Sequence, residues 1–236
     1  MSIQEHVQAV QSRLAAAAAA VGRDVSEITL CAATKVQTDD SIRQAIAAGI
    51  TVCGENRVQE LSAHLETDTY IGAQVHFIGH LQTNKVSKVV GKVALIHSVD
   101  SERLLRAINV QAEKVGVCQD ILLEVNIAGE ESKGGVSPDE IRDLAALART
   151  MEHVRLRGLM AIPPICEVPG ANRHFFAEMR QLFVDIRSEM SDNQNEFDCL
   201  SMGMSGDFED AIAEGSTLVR VGTALFGPRP PMAAAQ

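Results

Sequence analysis

Apolar positions along the chain switch repeatedly between helical and strand spacing. Ile3, Val7, Val10, Leu14 and Val21 keep the helical period, so the spacing predicts an amphipathic helix that stops at Gly22. The alanines from Ala15 to Ala20 are strong helix formers with small side chains, which predicts close packing against a neighbour. From Ile28 onward, short β-favouring apolar runs alternate with helical stretches. Strands are predicted at Ile28–Thr34, Ile50–Cys53, Val75–Gly79, Ala94–Ser98, Ile121–Asn126, Val154–Met160, Phe197–Met202 and Thr217–Val221. The first intervening helix turns Ile42, Ala45 and Ile46 inward and stops at Gly49, and Asn56–Glu66, Asn84–Val90 and Glu102–Val115 follow. Ser137-Pro138-Asp139-Glu140 then supplies an N-cap serine, a first-turn proline and a glutamate at N3. A long helix carries Phe175, Met179, Leu182, Phe183 and Ile186, and a short one carries Phe208, Ala211 and Ile212.

Each predicted strand leads to a helix and none to a hairpin signal, which requires a parallel sheet. The expectation is an α/β fold: a single-domain (β/α)8 TIM barrel over residues 1–236 with an extra N-terminal helix. A doubly wound open sheet is the runner-up, but no G-x-G-x-x-G follows the first strand.

Composition narrows the function classes. Thirty-one acidic against twenty-one basic side chains give a net charge of −10 with no basic run, which argues against a nucleic-acid or anionic-membrane surface. The five cysteines are widely spaced without a C-x-x-C, as expected of reduced thiols, and Cys31 and Cys199 fall inside strand runs as small core residues. No basic leader with an apolar core opens the chain, and no apolar run is long enough to span a bilayer, so a cytoplasmic protein is expected.

In a barrel of this kind active groups gather at the C-terminal strand ends, with phosphate after strands seven and eight. The first strand, ITLCAATK, ends in Lys35. Its amine is a candidate nucleophile if a low-dielectric pocket disfavours the charged form. Taken alone, the stretch favours a lysine that only reaches solvent. After strand seven comes Ser201-Met202-Gly203-Met204-Ser205-Gly206-Asp207, and after strand eight Gly222-Thr223. Freed N–H groups at such helix starts bind phosphate, with the hydroxyls of Ser201 and Thr223 as further donors; the plainer reading is a pair of tight turns. Arg220 shares a strand face with Leu218 and Gly222 and needs an acceptor, either a carboxylate such as Glu55 or Asp207 or a ligand atom. Asn56 lies at the same rim or caps a helix. His80 is a rim histidine with no carboxylate at a fixed offset, and no metal-ligand spacing occurs. An amine and a phosphate cradle on one rim suit a Schiff base with a phosphorylated aldehyde, either pyridoxal 5′-phosphate (PLP) or a sugar phosphate.

The segments TLCAATK, VCGENRVQEL, HFIGHLQTNK, SVDSERL, LLEVNIAGEESKGG, GLMAIPP, LSMGMSGDFEDAI and VRVGTALFGPR, from Ile28 to Arg229, resemble the pyridoxal phosphate homeostasis protein family. These are cytoplasmic, PLP-binding, single-domain relatives of the alanine racemase barrel. The resemblance implies that Lys35 carries PLP covalently as an internal aldimine. It implies that Ser201, Gly222 and Thr223 hold the phosphate, that Arg220 faces the pyridine nitrogen, and that Asn56 and Met202 sit beside the ring. Val36-Gln37 replace the family's usual Thr-Lys, Cys53 a usual phenylalanine and Val75 a usual tryptophan.

Racemases of this fold supply a second acid/base, a tyrosine, from a separate domain. The single tyrosine here, Tyr70, precedes strand three and is expected at the wrong end of the barrel. An arginine against the pyridine nitrogen discourages ring protonation and weakens the electron sink. The resemblance therefore implies a PLP homeostasis protein with little or no turnover. It is expected to be a monomer, with PLP-requiring apoenzymes as partners. A PLP-dependent amino-acid racemase and a Schiff-base lyase on a sugar phosphate are the alternatives. The loop Gly129–Gly135 reads as a flexible connection or a mobile lid.

Overall fold

A computed structural model describes residues 1–130, 133–164, 166, 168–190 and 196–228. Glu131 and Ser132 of the glycine-bounded loop, and Arg229 at the end of the resemblance, lie outside the described residues.

Eight parallel strands close into a barrel in chain order: β1 (Thr29–Ala33), β2 (Val52–Glu55), β3 (Gln74–Phe77), β4 (Leu95–Val99), β5 (Gln119–Val125), β6 (Val154–Ala161), β7 (Cys199–Ser201) and β8 (Leu218–Val221). β1 pairs with β2 on one side and with β8 on the other, which seals the ring. The helices are α1 (Ile3–Ala20), α2 (Asp39–Ala47), α3 (Val58–Glu66), α4 (Glu102–Val115), α5 (Ile141–Arg149), α6 (Arg173–Glu189), α7 (Phe208–Ala213) and α8 (Thr223–Phe226).

Strand alternation divides the apolar residues into two layers. Cys31, Ala33, Val52, Ile78 and Leu218 form one cluster inside the barrel, and Leu95, Leu122 and Met160 another. The larger core lies between the strands and the helices, with Phe77, Phe176, Phe183, Phe197 and Phe208 fully buried in it.

α1 starts with a capping box, in which the Glu5 N–H donates to Ser2 Oγ (3.2 Å) and the Ser2 N–H to the Glu5 carboxylate (2.6 Å). It buries Val7, Val10, Leu14 and Ala18, and lays Arg13 over the Phe208 ring at 4.6 Å. Val21, expected on the apolar stripe, caps the helix past its last turn and is exposed.

The segment expected as a helix over Asn84–Val90 is instead a 3₁₀ helix, Thr83–Lys88. Three β-branched residues, Val86, Val89 and Val90, lower its α propensity and bury themselves as the short connection tightens. Ser137 is not the N-cap of α5; Pro138 to Glu140 form a turn, Ser137 Oγ donates to the Glu140 carboxylate (2.8 Å), and the helix starts at Ile141.

Candidate functional site

The C-terminal mouth of the barrel holds a cavity of about 280 Å³, lined among others by Ala33, Lys35, Asn56, Ile78, Ile162, Arg220, Gly222 and Thr223. That volume sits at the small end of ligand pockets, which run to roughly 300–1,000 Å³ for drug-sized molecules. Five of the residues predicted for the site, Lys35, Asn56, Arg220, Gly222 and Thr223, line this one cavity.

Lys35 follows β1 in a tight turn in which the Gln37 N–H donates to the Thr34 carbonyl (3.0 Å). Val36 takes a positive φ of 57°, a costly conformation for a β-branched residue, and its N–H is held by the Glu60 carboxylate at 2.8 Å. Thr34, fully buried, donates to Glu55 Oε1 at 2.5 Å. The same oxygen accepts from the Tyr70 hydroxyl (2.7 Å) and lies 3.2 Å from His64 Nδ1. Glu55 is fully buried and belongs to the layer between the barrel and its helices, so Tyr70 is committed there and does not line the cavity. Burial, together with the neighbouring carboxylate, pushes the Tyr70 hydroxyl above its ordinary pKa.

Two predicted residues are placed elsewhere. Ser201 is fully buried inside the barrel beneath the cavity, where it accepts from the Arg220 guanidinium. Met202, the next residue, alternates outward into the helix-facing core. The loop then turns at Gly203 (φ 92°) and returns Met204, Ser205 and Gly206 to the cavity wall. Ser205 Oγ accepts from the N–H groups of Gly222 (3.1 Å) and Ala224 (3.4 Å), so it sits at the start of α8 where Ser201 was expected.

Arg220 is 4 % exposed and finds neither Glu55 nor Asp207 as its acceptor. It donates to Ser201 Oγ and to the Ala161 carbonyl at 2.9 Å. Burial lowers its pKa from the ordinary arginine value. Asn56 lines the cavity without capping α3, and its Oδ1 is buried without a hydrogen-bond partner.

Gly79 fixes the Asn56 position, because a Cβ there would fall 2.2 Å from the Asn56 carbonyl oxygen. Gly79→Ala is therefore expected to destabilise the fold by about 1–3 kcal/mol, measured by urea unfolding, as backbone rather than a flexible side chain must move.

The rim continues into a neighbouring cavity of about 640 Å³ that shares Asn56, Ile78 and Ile162 and carries His80, Glu124, Asn126 and Lys133. His80 does have a carboxylate partner, since its Nδ1 lies 3.3 Å from Asp100 Oδ2. Their separation in sequence hid the pair. Burial and Asp100 raise the pKa of Glu124. Among the described residues no group of three His, Cys, Asp or Glu could hold a metal ion.

Residues 6–230 match the family described as alanine racemase, N-terminal domain. A pyridoxal phosphate homeostasis protein of Aquifex aeolicus is 42 % identical over 230 residues, which is 97 % of this chain and 99 % of the relative. The pyridoxal phosphate homeostasis protein of Escherichia coli K12 is 38 % identical over 231 residues, 96 % of this chain and 97 % of its own. The chain belongs to the pyridoxal phosphate homeostasis protein family. A solved relative in structure is PipY of Synechococcus elongatus with PLP bound, at TM-score 0.81 and 31 % identity, covering 96 % of this chain and 100 % of that one. An alanine racemase of Clostridium difficile shares the barrel at TM-score 0.73 and 13 % identity, and covers 97 % of this chain but 58 % of its own, so it shows the fold alone. Members of the pyridoxal phosphate homeostasis protein family are thus matched along nearly their whole length, and the racemase over 58 % of its own.

The donor set fits PLP. A primary amine, a guanidinium and a helix start with a serine hydroxyl converge on a cavity whose other walls, Ala33, Ile78 and Ile162, are apolar.

Proposed function

We propose that this chain is a PLP-binding protein of vitamin B6 homeostasis that holds the cofactor covalently on Lys35 and carries little or no turnover. The observation that carries the reading is the single cavity that gathers Lys35, Arg220 and the start of α8. The names of the relatives and the PLP in PipY support it.

When bound, PLP supplies an aldehyde for a primary amine and a ring that accepts electrons best when its nitrogen is protonated. Lys35 is the amine at the mouth of β1. Ser205, Gly222 and Thr223 bind the phosphate, with Ser205 replacing Ser201 in that role, because dianionic oxygens accept from hydroxyls and from N–H groups at a helix start. Arg220 faces the ring nitrogen; a cation there opposes its protonation and keeps the ring a poor electron sink. Tyr70, bonded to Glu55 outside the cavity, is unavailable as a second acid or base. Asn56 lines the ring's flank, and Met204 replaces Met202 beside it. We assign the protein to the cytoplasm as a monomer that serves PLP-requiring apoenzymes.

The protein is incubated with PLP, its visible spectrum recorded, and the sample reduced with borohydride and digested. One pyridoxyl phosphate per chain is expected, on the peptide containing Lys35. A protein that stays colourless and fixes none would overturn the reading. Racemisation of alanine or serine at ordinary enzyme rates would overturn its non-catalytic part.

A further inference from the structure

Beneath the cavity, four polar side chains from four strands form one connected line through the barrel interior. Arg220 on β8 donates to Ser201 on β7, Ser201 Oγ lies 3.0 Å from His97 Nδ1 on β4, and His97 Nε2 lies 3.0 Å from His76 Nδ1 on β3. Ser201 and His97 are fully buried. Such interiors are ordinarily filled by branched aliphatic side chains, as Leu95 and Leu122 do here. At the far mouth a separate cavity of about 290 Å³ reaches His76.

We infer that Ser201 and His97 are positioning residues for Arg220, and that this hydrogen-bond line runs in one direction only, from the guanidinium down to His76. Arginine is always a donor, so Ser201 Oγ accepts from it. The single serine proton is then left for His97 Nδ1; if Nδ1 carried a proton instead, the serine hydrogen would be stranded in a fully buried site. His97 therefore carries its proton on Nε2 and donates to His76 Nδ1, which leaves the His76 proton on its own Nε2. Burial lowers the pKa of both histidines, which agrees with two neutral rings.

The consequence lies at the upper end. Ser201 and the Ala161 carbonyl hold the two terminal nitrogens of Arg220 from below, so the guanidinium cannot rotate freely and keeps its remaining N–H groups for the cavity it lines. A buried hydroxyl with a satisfied acceptor is needed for that, and His97 is the acceptor.

The first test uses the cofactor-free wild type. Histidine ¹⁵N spectra at neutral pH are expected to show both His97 and His76 protonated on Nε2 alone, and the terminal nitrogens of Arg220 are expected to give two separate signals. Protonation of His97 on Nδ1, or an imidazolium, would overturn the inference. In Ser201→Ala and His97→Leu the Arg220 signals are expected to merge, whereas His97→Asn, which keeps an acceptor near Nδ1, keeps them apart. Two unmerged signals in Ser201→Ala would likewise overturn it. The affinity arm rests on the PLP reading: Ser201→Ala is expected to bind PLP about tenfold more weakly, and His97→Asn to stay near the wild type. A wild type that binds no PLP would defeat that reading while the tautomer and rotation results still decide this one.

Discussion

Replacing Lys35 with alanine is expected to abolish borohydride fixation of PLP, from one equivalent per chain to none, and to remove the visible band of the bound cofactor. The lysine stands at the C-terminal end of β1 on the wall of the cavity that holds Arg220, Gly222 and Thr223. With PLP bound as proposed, condensation of its amine with the aldehyde would release water and form a carbon–nitrogen double bond, which borohydride would reduce to a stable single bond. Alanine removes the amine but leaves the proposed phosphate and ring contacts, so PLP is expected to bind about a hundredfold or more weakly and to dialyse away. The fold is expected to be unaffected, because the half-buried Lys35 lies in a turn past the strand and Thr34 keeps its bond to Glu55. Lys133 lines the neighbouring cavity. A full equivalent fixed in the Lys35→Ala variant and mapped to another lysine would defeat the assignment.

The strands and helices of the barrel were legible in the alternation of apolar runs because each unit is local. α4 runs over Glu102–Val115 as its spacing predicts, with Gly116 in the left-handed conformation at its end. Boundaries drifted at the rim, where polar residues interrupt the period: β2 extends to Glu55 and α3 starts only at Val58. The site was partly legible, since Lys35, Asn56, Arg220, Gly222 and Thr223 do meet at one cavity. The run Ser201-Met202-Gly203-Met204-Ser205 offers two serine–methionine pairs, and which one reaches the cavity depends on where β7 stops. It stops at Ser201, so that serine stays inside the barrel, and the turn at Gly203 brings the second pair to the wall. The partners of Arg220, the Glu55–Tyr70–His64 cluster and the His80–Asp100 pair were not legible, because each joins residues from separate elements that only closure of the barrel brings together.

The two interior histidines are also expected to make the protein acid-sensitive. His76 is depressed to about 4, chiefly by burial and then by Arg157 against the opposing pull of Asp120, and His97 is depressed by burial, His76 and Arg220. In the unfolded chain both titrate near the ordinary histidine value of about 6.5. Above that pH the rings are neutral in both states and these two groups cost the fold no stability. As the pH falls from about 6.5 toward 4, the unfolded chain takes up protons that the folded barrel refuses, and stability is lost. A difference of about 2.5 units, from 6.5 to the 4 of His76, corresponds to about 3 kcal/mol at 1.36 kcal/mol per unit, and His97 acts in the same direction. Carboxylates titrate over part of this range, so the informative measurement is urea unfolding of the wild type beside His76→Asn, which keeps an acceptor for His97 but cannot ionise. The stability gap between them at pH 7.5 is expected to move in favour of the variant by about 3 kcal/mol by pH 4. A gap that does not change with pH would mean that His76 is not held neutral in the folded barrel, and the one-way line from Arg220 would lose its lower end.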